Sequence, residues 1–181
     1  VHAMEFVGPP FIFNFRQLGS NCGIAGQHAA IELDGRIFWM GAKDFFVYDG
    51  AVKALPCTVR RYVYDDFNFD QKEKVYAGTN QEFREVTWLY PSKNSTEVDR
   101  YVSYNPVENY WTFGTTIFTT WEDKEVFQNV ITTGQEADGD NYLYTNEPEG
   151  IYTADGQRQE AFLESSEFDT TPPSYGPGDS I

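Results

Sequence analysis

Residues 29–55 read AAIEL DG RIFWM GAK DFFVY DG AVKAL, and the spacing inside this stretch decides the fold class. Four short runs of aromatic, branched and small residues alternate with the dipeptides Asp34-Gly35 and Asp49-Gly50 and with one small loop. Asp-Gly supplies the positive φ that a tight reversal requires, so 29–33, 36–40, 44–48 and 51–55 are expected as four antiparallel strands laid down in order.

The same grammar recurs downstream. A second unit runs through 75–78, a turn at 80–84, then 85–90, 100–104 and 110–113, with Asn105-Pro106 marking a reversal. A third runs through 129–133, the Asp138-Gly139 turn, 141–145, 151–154, Asp155-Gly156 and 157–163. Trp39 and Trp88 hold equivalent places 49 positions apart, and Ile31 and Ile131 lie 100 apart. Tyr48 with Tyr104, and the turn glycines Gly50 and Gly156, complete the set of repeat residues. Four short strands recurring at about 50 residues is the period of a kelch-like blade. The expectation is therefore an all-β chain of repeated four-stranded antiparallel blades, a partial β-propeller, with units near 29–55, 75–113 and 129–163 inside one domain at 1–169. The alternative is a β-sandwich whose hairpins share that spacing by coincidence.

Between the first two units, Val59, Tyr62 and Val63 at i, i+3 and i+4 predict a helical turn, and Asp70 with Glu73 predicts a capped one. Residues 170–181 carry Pro172-Pro173 and Tyr175-Gly176-Pro177-Gly178, a Pro/Gly-rich tail that cannot continue a central strand.

The 181 residues carry 28 acids against 13 bases, a net charge of -15. Phosphate affinity comes from Lys and Arg that release counterions, and the densest basic cluster is the pair Arg60-Arg61, so tight nucleic-acid binding is not expected. The acidity is lopsided: residues 1–121 hold 14 acids and 11 bases, while 122–181 hold 14 acids with only Lys124 and Arg158. Such a face, with Asp138, Asp140, Glu147 and Glu149 among its acids, either solvates the surface or repels DNA or receives a basic partner. No apolar run approaches the ~20 residues of a membrane helix. The hydrophobic content of 40% suffices for a packed core.

Cys22 and Cys57 form no metal spacing and no CxxC; they either pair or stay as buried free thiols, the second being the expectation. Only His2 and His28 could act as near-neutral bases, no nucleophile elbow or phosphate loop occurs, and Asp138-Gly139-Asp140 lacks the spacing of a calcium loop. Asp65-Asp66 and Glu122-Asp123 read as solvated turns. Asn94-Ser95-Thr96 is a formal glycosylation sequon, meaningful only in a secreted eukaryotic protein. No catalytic residue, cofactor or metal is assigned. Trp39 and Trp88 are expected in the core; Trp111 and Trp121 separate two readings, being buried in a scaffold and solvent-facing beside carboxylates in a glycan-binding or glycan-cleaving propeller.

The succession IFWMG at 37–41, FFVYDG at 45–50, LPCTVR at 55–60, VYAGTN at 75–80, FREVTWLYP at 83–91, DRYVSYN at 99–105 and AFLES at 161–165 resembles the tail proteins of short-tailed bacteriophages. This is the packaged-DNA stabilisation or tail tubular (nozzle) family, and the likeness spans roughly 24–169. The resemblance implies a β-propeller, a structural role in the virion, contacts with other tail or connector subunits in a homo-oligomeric ring, and no enzyme activity. A propeller closes with 4 to 8 blades and family members are longer, so three units and a first residue other than Met imply a fragment or a shortened relative.

Overall fold

The computed structural model describes residues 1–123, 128–135 and 139–146, together with the backbone of 153–154 and 157–158. It forms two units, Val1–Pro148 and Glu149–Ile181.

The first unit opens with a hairpin of β1 (His2–Phe6) and β2 (Phe13–Gln17), in which Met4 faces Phe15 and Phe6 faces Phe13. The sequence reading had no place for this pair of strands. Next comes a four-stranded antiparallel sheet in chain order, β3 (Ala30–Leu33), β4 (Arg36–Met40), β5 (Phe45–Tyr48) and β6 (Val52–Ala54). Asp34 and Gly35 both take positive φ, 52° and 74°, between the paired residues Leu33 and Arg36, so the first reversal is the two-residue turn that Asp-Gly specifies.

The linker holds α1 (Arg60–Asp66) and a 3-10 turn (Phe69–Lys74). The cap of the latter is Asn68 rather than Asp70: the Asn68 side chain accepts a hydrogen bond from the Asp70 N–H at 3.1 Å. A second four-stranded meander follows, β7 (Tyr76–Asn80), β8 (Glu85–Tyr90), β9 (Arg100–Asn105) and β10 (Tyr110–Thr115). Its β9–β10 turn is shaped by the Asn105 side chain, which accepts from the N–H groups of Val107 (2.9 Å) and Glu108 (3.0 Å).

The third sheet orders β11 (Phe118–Glu122), β12 (Ile131–Gln135) and β13 (Asn141–Thr145). Its first strand, β11, lies ahead of the segment from which the repeat was expected to begin. Ile131 therefore sits on a second strand while Ile31 sits on a first, and the two are not equivalent.

The first strands of the sheets are neighbours: β7 lies against β3 on one side and β11 on the other, and the Ala77 N–H donates to the His28 carbonyl at 2.7 Å. Successive meanders joined through their leading strands form an all-β, partial propeller-like arc whose sheets do not close. In the second unit, Thr153–Ala154 (β14) pairs antiparallel with Gln157–Arg158 (β15). Gly156, the rest of that unit and the tail at 170–181 lie outside the described residues.

The core lies between the first two sheets. Phe38, Met40, Phe45 and Val47 of the first meet Val86, Trp88, Tyr90 and Val102 of the second, and Val63 and Phe67 from the linker are buried with them. Trp39 and Trp88 hold the same place in the pairing, opposite Ala30 and Ala77 on the preceding strand, and both are buried. Trp88 is wholly enclosed: its ring lies 4.9 Å from Phe45 and 6.2 Å from Trp111, and its Nε1 donates to the Ala29 carbonyl at 3.1 Å. Removing a large buried ring leaves a cavity as well as losing transfer energy. Trp88→Ala is expected to cost roughly 3–5 kcal/mol; an unchanged denaturant midpoint would show the ring to be misplaced.

Candidate functional site

The leading strands β3, β7 and β11 line a groove of about 220 Å³ bounded by Glu32, Tyr76, Gly78, Trp121, Glu122 and Asp123 among others. The groove exists because β7 carries glycine at 78. A Cβ there would overlap the Trp121 indole, so only glycine lets that ring lie flat on the strand. Trp121 Nε1 then donates to the Thr79 carbonyl at 2.7 Å. Asp123, immediately after β11, accepts from Thr79 Oγ1 at 2.7 Å and from the Gln81 N–H at 3.2 Å. The third sheet is thus fastened to the second by an indole and a carboxylate, and Asp123 is a structural acceptor rather than part of a solvated turn.

The other acidic pairs are also engaged. Asp65 pairs with Arg61 at 3.3 Å along α1, and Asp66 pairs with Arg100 at 3.3 Å. Arg60 lies 3.6 Å from Asp44 and donates to the Lys43 carbonyl at 3.2 Å. The Arg60-Arg61 pair therefore has carboxylates beside both cations. Exposed ion pairs of this kind add little stability, yet they cancel the one basic cluster that could have met phosphate.

Trp111 is half-buried. It packs on Phe45 (4.9 Å) and Tyr104 (4.6 Å), and its Nε1 donates to the Pro56 carbonyl at 3.0 Å. Trp111 and Trp121 are both half-buried, each with its indole N–H bonded to a carbonyl of a neighbouring segment, and Trp121 also walls the groove beside Glu122 and Asp123. Tyr104 is buried, with its hydroxyl 3.0 Å from Asn109 Oδ1. Gly50 takes φ 103° in the β5–β6 turn. Trp39, whose Nε1 donates to the Cys22 carbonyl at 2.9 Å, and Tyr48 both line a cavity on the outer face of the first sheet. His28 is exposed and stacks on Tyr76 at 5.4 Å. Among the described residues no group of three His, Cys, Asp or Glu could hold a metal ion, and no helix is long and apolar enough to cross a membrane. Asp140 is exposed; Asp138, Glu147 and Glu149 lie outside the described residues.

No protein-family profile and no curated protein matches this chain.

Both cysteines are free, Cys22 buried and Cys57 half-buried. Burial pushes the Cys57 thiol up from 9.0 to about 11, and the Asp44 carboxylate adds to the rise. The folded protein holds that proton more tightly than the unfolded chain does, so this stabilising contribution is complete below pH 9 and is lost as pH climbs through about 11. Urea midpoints are expected to fall across that window, and Cys57→Ala to flatten the fall. Gly→Ala in a strand normally gains from reduced chain entropy, whereas Gly78→Ala, by expelling the indole, is expected to lose about 1–3 kcal/mol and to expose Trp121 to water. A gain in stability with unchanged tryptophan emission would contradict the packing described.

Proposed function

We propose that this chain is a structural component of a bacteriophage tail or head–tail assembly, a propeller-type subunit that helps form or seal the channel through which DNA leaves the virion. The observation that carries the reading is the ordered series of segments spread over roughly 24–169 that resembles the packaged-DNA stabilisation or nozzle family. Two features support it. The indoles that a glycan platform would present are used to weld one sheet to the next. The groove along the leading strands carries Glu32, Glu122 and Asp123 and no Lys or Arg.

A conduit has to pass a polyanion without holding it, because every cation–phosphate contact adds an attractive site that slows movement. A net charge of -15 suits such a wall, with repulsion screened beyond roughly 8 Å at physiological salt. The partners in this reading are other tail or connector subunits in a homo-oligomeric ring, the place of action is the virion, and no catalysis is involved. The full chain is expected to show no measurable binding to duplex DNA at about 0.15 M salt in a fluorescence anisotropy titration. Micromolar affinity that weakens steeply with added salt would refute the conduit role.

A further inference from the structure

The β1–β2 hairpin is amphipathic in an unusual sense. Met4, Phe6, Phe13 and Phe15 fall on one face by strand alternation, and they are 49–70% exposed; at the tip Phe11 is 76% and Ile12 57% exposed. An isolated two-stranded hairpin gains nothing from presenting such a face to water. On the same molecule, the outer face of the first sheet carries an apolar cavity of about 520 Å³, lined by Ile24, Ile37, Trp39 and Tyr48 together with the base of the hairpin. Ile24 and Ile37 at its mouth are 45% and 43% exposed. A cavity of ~150 Å³ holds a benzene ring, so this one has room for a phenyl side chain and its neighbour.

The repeat shows what kind of face this is. Trp88 and Trp39 are equivalent, each opposite an alanine of the preceding strand. The Trp88 face is closed by the first sheet, through Phe45 and the Ala29 carbonyl. The Trp39 face has no second sheet of this kind against it among the described residues: its indole bonds the Cys22 carbonyl and stacks on Phe46 of its own sheet, with the cavity beside it.

We propose that the hairpin of one copy docks into the Trp39 cavity of a second copy, with Phe11 and Ile12 as the inserted anchors. Three observations select a second copy as the occupant. The chain carries both an apolar projection and an apolar cavity. Residues 1–31 contain only Glu5 and Arg16 as charged side chains, net zero in a chain of -15, so contact here brings few acids together. An aromatic ring buries roughly 150–250 Å², and these six side chains are half to three-quarters exposed, so covering what remains open would bury on the order of 600–900 Å² per copy, close to the ~800 Å² that a standard interface takes from each partner. Reciprocal exchange gives a closed dimer, and head-to-tail exchange gives a ring or filament.

This inference rests on the subunit-assembly part of the proposed function and is independent of its DNA part. The test uses the full chain in light scattering over a concentration series, beside the double variant Phe11→Ser/Phe15→Ser. Both sites are exposed, so the variant is expected to keep its thermal midpoint while its mass falls to one chain. Separately, a Phe11→Cys chain mixed with an Ile37→Cys chain under mild oxidation is expected to give a mixed disulfide dimer, with wild type as the control for Cys22 and Cys57. A variant that retains the wild-type mass, or Phe11→Cys chains that link only to one another, would overturn the docking while leaving assembly through another surface intact. A wild-type monomer at every concentration would overturn both docking and self-assembly, and co-flotation of that monomer with phosphatidylcholine vesicles would identify lipid as the occupant instead. The DNA titration is unaffected by any of these results.

Discussion

The indole of Trp88 crosses from the second sheet to the first and donates its one polar hydrogen to the Ala29 carbonyl, in a setting from which water is excluded. Much of the structure depends on that contact being made correctly. A buried donor without a partner costs about 1–3 kcal/mol, so the bond fixes where β3 begins relative to β8 as well as adding stability. The register follows from small residues: Ala77 sits opposite Trp88 and Ala30 opposite Trp39, leaving room for an indole on each second strand. Phe45 and Trp111 supply ring contacts to Trp88, the first tilted and the second stacked, and Tyr104 extends the cluster by packing on Trp111.

The two inter-sheet junctions are built from different chemistry. The first is dry and aromatic. The second sets Trp121 on a glycine strand and adds hydroxyls and a carboxylate, with Thr87 and Ser103 hydrogen-bonded at 2.6 Å on the face of the second sheet turned toward the third. Two sheets are thus joined by a shared apolar core, and the third is attached by directional polar bonds. Three of the four indoles, those of Trp88, Trp111 and Trp121, are thereby engaged with the carbonyls of neighbouring segments.

Much of this was legible in the residues. Asp34-Gly35 predicted a two-residue reversal and both residues have the positive φ it demands; Val59, Tyr62 and Val63 predicted α1; the equivalent place of Trp39 and Trp88 in the strand pairing followed from their spacing, although Trp88 lies between two sheets and Trp39 on the outer face of the first. Other parts were hidden for physical reasons. β11 follows β10 across only Thr116 and Ile117, with no Gly, Asn or Asp to mark the break, so the third sheet was expected one strand late and Ile131 was matched to the wrong strand. The N-terminal hairpin turns at Gly8-Pro9-Pro10, outside the Asp-Gly grammar used elsewhere, and its one-sided aromatics resemble core residues until their exposure is known. Asp123 looked like surface charge because its partners, Thr79 and Gln81, are more than 40 residues earlier in the chain. Side-chain chemistry at a sheet junction depends on which strands meet, and local pattern carries no information about that.

If Trp88 joins the first two sheets into one cooperative unit, their amides must open together. Native-state hydrogen exchange reads this directly at Phe38 and Val47 in the first sheet and at Ala77 and Val102 in the second. A single opening free energy is expected for all four, equal to that of global unfolding and lowered by the same amount in Trp88→Ala. Exchange of the first-sheet amides at a clearly lower free energy than those of the second would contradict it, showing that the sheets unfold separately and that the indole bridge does not couple them.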